Sequence, residues 1–311
     1  MLKRAAVAIA VLAIGLAALF WFITAPEPLA AAQLPAHSPD PVNGERMFHA
    51  AGCSSCHAAA QAKGEDKLKL AGGLELNTEF GVFRVPNISP DPDTGIGGWS
   101  DLDFVNAVMR GVSPGGAHYY PALPYASYTR MRVEDVLDLK AYMDTLPPVQ
   151  TRVAGHALRF PYNVRRGVGL WKRLYLTEQP AVELAGGNDL ALRGRYLVEG
   201  PGHCAECHTS RDFLGGLKPD LWLAGAPNPE GRGTVPNITS GDGGIGGWSE
   251  GEIAEAFKSG FKPDFDTFGG QMAAVQQDLA RLPDEDLQAI AAYLKAVPPL
   301  PDAVQRPAGG S

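Results

Sequence analysis

The sequence predicts a mainly α chain in which one small helical domain occurs twice behind an N-terminal apolar helix. Three observations carry this reading. Residues 5–24 form an apolar run without a charge. The string "VPNISPDPDTGIGGWS" at 85–100 returns as "VPNITSGDGGIGGWS" at 235–249 with one residue deleted. Each copy follows a Cys-x-x-Cys-His motif and precedes a helical pattern that ends in Pro-Pro.

The N-terminal element comes first. Lys3 and Arg4 stand before the apolar run, whose twenty residues match the thickness of a bilayer. A secretory h-region is usually shorter, roughly 7–15 residues. The run therefore reads as an uncleaved, single-pass anchor over 1–24 with its basic end in the cytoplasm. The competing reading is a signal peptide cleaved near "LAAAQ" at 29–33. Both export everything from Ala25 onward. The Pro- and Ala-rich stretch 25–40 reads as a tether.

The repeat sets the domain plan. "GERMFHAAGCSSCH" (44–57) mirrors "GRYLVEGPGHCAECH" (194–208) with one residue added, and "VEDVLDLKAYMDTLPPV" (133–149) mirrors "DEDLQAIAAYLKAVPPL" (284–300). The expected units are a first domain at 41–150, a linker at 151–186, a second domain at 187–300 and a tail at 301–311. Val136, Leu139, Tyr142 and Met143 make an apolar helical stripe, repeated by Leu287, Ile290, Tyr293 and Leu294. Pro-Pro at 147–148 and 298–299 ends each helix. Gly44 and Gly194 leave room for a second helix to cross closely.

In the linker, Val164, Val168, Trp171 and Tyr175 fall on one helical face among Arg165, Arg166, Lys172 and Arg173. Two readings fit: a helix on an anionic membrane surface, or a helix clamped between the domains with its cations facing cofactor carboxylates. A net charge of −7 argues against a nucleic-acid partner. "GIGG" lacks a Walker lysine and reads as a turn.

The cysteines carry the chemistry. The chain has four: Cys53, Cys56, Cys204 and Cys207. In an exported chain a Cys pair can form a disulfide, a redox pair or half a zinc site. Cys-x-x-Cys followed at once by His is the attachment signature of c-type haem. The thiols add to the porphyrin vinyl groups, and the adjacent histidine binds iron. Two such motifs with no cysteine left over predict two covalently bound haem c groups, with His57 and His208 as proximal ligands. His203, beside Cys204, is expected to face solvent or to be packed.

A small helix-on-helix domain around a haem resembles the class I cytochrome c fold. The strings "PNISPDPDTGIGGWSDLDFVNAVMRGV", "HYYPALPYASYTRM" and "RFPYNVRRGVGLWKRLYL" further resemble the cytochrome c subunits of membrane-bound bacterial alcohol, gluconate and fructose dehydrogenases. That resemblance covers about residues 40–300. It implies two tandem class I domains, where those subunits usually carry three. It also implies electron transfer rather than catalysis, with a periplasmic dehydrogenase and a respiratory acceptor as partners at the bacterial inner membrane.

The resemblance and the repeat together suggest the remaining ligands. After Met143 the chain has one more methionine, Met272, placed where class I domains carry their methionine ligand. In the first domain Met109 and Met143 align with Lys258 and Leu294, and the position opposite Met272 falls near Leu123. That leaves Met131, where the resembling subunits usually carry a methionine. His118 is the alternative, and an empty site the third. "VPNI" resembles the cytochrome "GPNL" string, so Pro86 and Pro236 are expected to offer carbonyls to the proximal histidines, or to be simple turn prolines. Trp99 and Trp248 are expected to donate to haem propionates, or to pack in the core. Two His/Met haems leave no open site and imply an electron carrier. The competing class is a peroxidase-like dihaem enzyme, which requires an exchangeable position on the first haem.

Overall fold

The structure, a computed structural model, describes residues 1–184, 188–229, 231 and 233–304. Of the expected tail, residues 305–311 lie outside the described residues, as do 185–187 at the expected boundary between linker and second domain.

Helix α1 (Leu2–Ile23) buries none of its residues against the rest of the chain, and is long and apolar enough to cross a membrane. It ends at Thr24, whose hydroxyl donates to the Phe20 carbonyl at 2.6 Å.

The first repeat starts with α2 (Pro41–Ala50). Asp40 caps it by accepting from the Val42 N–H, and Pro41 has the fixed φ suited to a first helical position. Gly52, in the left-handed region at φ 56°, turns the chain into α3 (Cys53–His57). A hairpin of β1 (Glu75–Thr78) and β2 (Gly81–Arg84) follows, and β3 (Ala157–Leu158) from the linker pairs antiparallel to β2. Helix α4 (Asp101–Val105) begins in a Ser100/Asp103 capping box and runs on through a π turn at 106–110. Helices α5 (Tyr125–Tyr128) and α6 (Val133–Met143) complete the unit. The linker carries α7 (Val168–Tyr175).

The second repeat reproduces the order. Helix α8 (Asp189–Glu199) is capped by Asn188, and α9 (Ala205–His208) lies in the attachment motif. A short β4 (Ala226–Pro227) and β5 (Thr234–Val235) ladder follows. Then come α10 (Glu250–Ser259) with a Ser249/Glu252 capping box, α11 (Gln271–Leu279) and α12 (Asp284–Ala296).

Each unit is held by one close helix crossing, α2 on α6 and α8 on α12. A Cβ on Gly44 would stand 2.0 Å from the Asp138 carbonyl oxygen, and one on Gly194 1.8 Å from that of Ala289. Any side chain would push these helices apart, so the crossings depend on glycine. The expected stripe residues Val136, Leu139, Met143, Leu287, Ile290, Tyr293 and Leu294 are all buried. In α6 burial extends beyond the stripe to Asp135, Leu137, Asp138 and Lys140, because further segments cover its other sides. His37 and the Asp40 N–H approach Asp138, and Asn43 donates to both aspartates.

The two repeats share one continuous buried core that includes Met47 and Phe48 of the first and Leu197, Val198 and Tyr293 of the second. Polar contacts repeat across the junction. Arg46 of α2 and Arg193 of α8 both donate to Asp286 at the start of α12. Laying α6 on α12 puts Asp135 opposite Asp286, and Asp135 accepts from Tyr196 of the other unit. Each unit thus grips the other through the same acidic position, as in a pseudo-twofold pair.

The linker differs from the expectation that its cations face cofactor carboxylates. Helix α7 clamps the end of α1. Arg166 donates to the Trp21 carbonyl and the Thr24 hydroxyl, with its guanidinium 4.2 Å from the Trp21 ring centroid. Arg173 donates to the Ile23 carbonyl and to Glu27. Lys172 donates to the Arg110 and Gly111 carbonyls at 2.6 and 2.7 Å. The C-terminus of a helix presents unpaired carbonyls and partial negative charge, which explains why cations collect there. A Cβ on Gly169 would meet the Thr24 backbone at 2.6 Å, so the clamp is close.

Candidate haem-attachment sites

Each attachment motif forms a short helical turn, which brings both cysteines and the histidine toward one side. His57 Nδ1 lies 2.9 Å from the Pro86 carbonyl oxygen, and His208 Nδ1 lies 2.8 Å from that of Pro236. The prolines expected from sequence therefore stand at the imidazoles. With the proton on Nδ1 donated to a carbonyl, Nε2 is the nitrogen left to meet a metal. Burial pushes the His57 imidazole down to about 4, against the Pro86 carbonyl, which works to raise it. Burial lowers His208 in the same way. Both rings are therefore neutral at pH 7, the form that ligates iron. This donor set, with two thiols beside each oriented imidazole, fits a covalently bound haem.

The asparagine of "VPNI" is a structural residue that the motif contained and the sequence reading passed over. Asn87 donates to the Val149 carbonyl and Asn237 to the Leu300 carbonyl, both beyond the last helix of their unit. Their side-chain oxygens accept from the Ser89 and Thr239 N–H groups. Their presence in both repeats was the signal available. Trp99 and Trp248 are partly buried and pack against the common core. The "GIGG" strings are turns, with Gly95 and Gly97 tight against the carbonyls of Ser89 and Pro90.

The candidate sixth ligands are placed differently in the two units. Met272 lies in the first turn of α11, whose N-cap is Gly270 (φ 57°), and packs against the core. Met131 is 4% exposed and lies at the junction. A Cβ on Gly200 of the second unit would be 3.6 Å from Met131 Cγ, and the next residue, Arg132, donates its N–H to the Tyr196 hydroxyl. Laying α6 on α12 puts Met131 opposite the fully buried Leu282.

His118, the alternative ligand, has one ring nitrogen engaged at the end of α1. Its Nε2 is 2.9 Å from the Thr24 carbonyl oxygen at the end of α1, and its carbonyl accepts from Arg165. Burial lowers its pKa, with Lys172 and Arg166 acting in the same direction. His118 Nε2 thus serves the anchor seat, while its buried Nδ1 has no hydrogen-bond partner among the described residues.

Each unit also reaches the attachment motif of the other, which the repeat alone did not reveal. His203 is packed: its ring meets Tyr128 edge-on, with centroids 5.6 Å apart, and its Nε2 is 3.2 Å from the Ala51 carbonyl oxygen. Asp278 of α11 accepts from Ser55 Oγ at 2.9 Å and from Ser54 Oγ at 3.3 Å, the two residues between Cys53 and Cys56. Ser127 of α5 donates to Glu206 at 3.1 Å, a residue between Cys204 and Cys207. Before haem attachment, burial and then the Asp278 carboxylate push the Cys53 thiol up to about 12.

Comparison with known proteins agrees with this geometry. The cytochrome c family model matches residues 41–147 and again 191–298. A protein described as a dihaem cytochrome c-type from Cereibacter sphaeroides is 55% identical over 258 residues, covering 82% of this chain and 85% of that protein. The fructose dehydrogenase cytochrome subunit of Gluconobacter japonicus is 37% identical over 85% of this chain, which spans 54% of the subunit. The gluconate 2-dehydrogenase cytochrome c subunit of Pantoea cypripedii is 36% identical, and this chain spans 58% of it. Two family matches, each containing an attachment motif whose histidine is oriented by a proline carbonyl, identify this chain as a member of the cytochrome c family with two covalently bound haem c groups.

Proposed function

We propose that this chain is a membrane-anchored periplasmic electron carrier, which takes electrons from a dehydrogenase subunit and passes them to a respiratory acceptor. The observation that carries this reading is the pair of attachment motifs within one continuous core, each with its imidazole oriented by Pro86 or Pro236. Haem supplies the redox chemistry, while the protein contributes position, ligation and burial. The relatives named as cytochrome subunits of fructose and gluconate dehydrogenases support a dehydrogenase as electron donor.

The proposed attachment residues are Cys53 and Cys56 with ligand His57, and Cys204 and Cys207 with ligand His208. Met272 is the proposed sixth ligand of the second haem. Met131, buried at the junction of the two units, is proposed for the first. Trp99 and Trp248 are proposed as propionate donors.

The anchor seat supports the membrane assignment. Helix α7 buries Val168, Gly169 and Lys172 and leaves Leu170 and Leu174 exposed, next to the end of α1. An apolar face beside the exit of a spanning helix suits the bilayer interface.

Affinity purification of the chain from detergent-solubilised membranes tests the proposal. A dehydrogenase should co-purify, and its substrate should reduce both haems. A chain that leaves the membrane on salt washing, or haems that no co-purified dehydrogenase reduces, would count against it.

A further inference from the structure

The two attachment motifs carry unequal charge, and we infer that Asp278 holds the first haem at the lower potential, so that electrons enter the first domain and leave through the second. This rests on the electron-carrier reading above and adds a direction to it.

The inference starts from equivalent positions. Laying α6 on α12 puts Ser127 opposite Asp278, and each reaches the spacer residues of the other unit's attachment motif. The acid and its hydroxyl partner are exchanged between the two sites. Asp278 brings a carboxylate to Ser54 and Ser55, whereas Ser127 brings a hydroxyl to the carboxylate of Glu206. Both motifs therefore have one buried or nearly buried acid beside the haem-bearing cysteines.

The two acids differ in compensation. Glu206 pairs with Arg211, whose guanidinium also donates to the Glu206 carbonyl. Asp278 is 7% exposed, and its ion-pair partner among the described residues is His49, with Nδ1 at 3.2 Å. His49 is itself 5% exposed, and its other ring nitrogen lies 4.0 Å from a Glu45 carboxylate oxygen, so it is shared between two acids. The first site thus sits beside an acid that shares one histidine with Glu45, and the second beside an acid paired with a guanidinium of its own.

A nearby negative charge stabilises the ferric over the ferrous state, and it acts strongly where water is excluded. Asp278 therefore favours oxidation of the first haem, and with methionine proposed on both irons it is the acid that separates the two potentials. That difference makes transfer from first to second domain downhill. Asp278 is a positioning residue in this scheme: it touches the spacer of the motif and acts on iron through its field.

Redox titration of the purified holoprotein, followed by visible and near-infrared absorption, tests this without any partner. Loss of the sulfur-to-iron band of one haem in Met272→Ala identifies the second site. Asp278→Asn keeps an oxygen for Ser54 and Ser55 and removes the charge. It should raise the equilibrium constant for reducing the first haem by about tenfold, about 59 mV for one electron, and leave the second unchanged. Asp278→Glu should restore the native value. Arg211→Gln exposes the Glu206 charge at a partly exposed site and should lower the second potential alone. Unchanged potentials in both Asp278→Asn and Arg211→Gln, or a first haem that titrates above the second, would overturn the inference. Failure to find a dehydrogenase would sink the functional reading and leave these potentials untouched.

Discussion

Asp286 and Arg46 lie 240 positions apart in the chain and share a hydrogen bond across the junction of the two haem domains. Arg193 completes the site by donating to the other carboxylate oxygen at 3.0 Å. The carboxylate is fully buried, and it ties α2 of one domain and α8 of the other to α12.

This site makes folding sensitive to acid. Burial works to raise the Asp286 pKa, but the hydrogen bonds and charges of Arg46 and Arg193 outweigh it and hold the carboxyl below its ordinary value of 3.8. A group depressed on folding contributes its stability above the unfolded pKa and loses it as pH falls through the folded one. Asp286→Asn is expected to cost about 2 kcal/mol at pH 7. It should also flatten the pH dependence of stability below about pH 4, the ordinary carboxylate range. Denaturant unfolding followed by Soret dichroism between pH 3 and pH 7 checks both. Equal pH profiles for variant and native protein would remove Asp286 from the acid response.

The two axial methionines are expected to behave differently. Met272→Ala should abolish the long-wavelength sulfur-to-iron band of one oxidised haem and lower its potential. Met131 is buried, and with it on the first iron native reduced protein is expected to bind little carbon monoxide. Met131→Ala should open the first haem to one carbon monoxide per chain and leave the Met272 band unchanged. Native protein that already binds one carbon monoxide per chain would remove Met131 from the ligand list.

Gly194→Ala is expected to destabilise the second domain by about 3 kcal/mol, at the upper end for overpacking a core. Its Cβ would fall 1.8 Å from the Ala289 carbonyl oxygen, which is backbone and cannot swing aside. Gly15→Ala, in α1, has nothing within 4 Å and should leave the unfolding transition where it is. Calorimetry of both variants separates a packing effect from a general intolerance of alanine.

The local sequence determined what depends on near neighbours in the chain. Two Cys-x-x-Cys-His motifs, the "VPNI" strings, the glycines of the helix crossings and the apolar run of α1 each act within a few residues or through a repeat. They were therefore legible before any fold was known. The repeat marked Gly44 with Gly194 and Pro86 with Pro236, and the fold put each pair in the same role.

Contacts between distant segments were decided by the tertiary structure. Asp278 looks like an ordinary polar residue in "QQDLARL" until α11 brings it to Ser54 and Ser55 of the other domain. Nothing near His118 in sequence shows that its Nε2 meets the end of α1. The cations of α7 read as partners for propionates, but unpaired helix-end carbonyls and the Thr24 hydroxyl claimed them. Met131 remained the methionine left over by elimination, and only docking of the second domain placed Gly200 against it. Hydrogen bonds and burial depend on separation in space, and a linear pattern carries that information only where the partners are close in sequence or repeated.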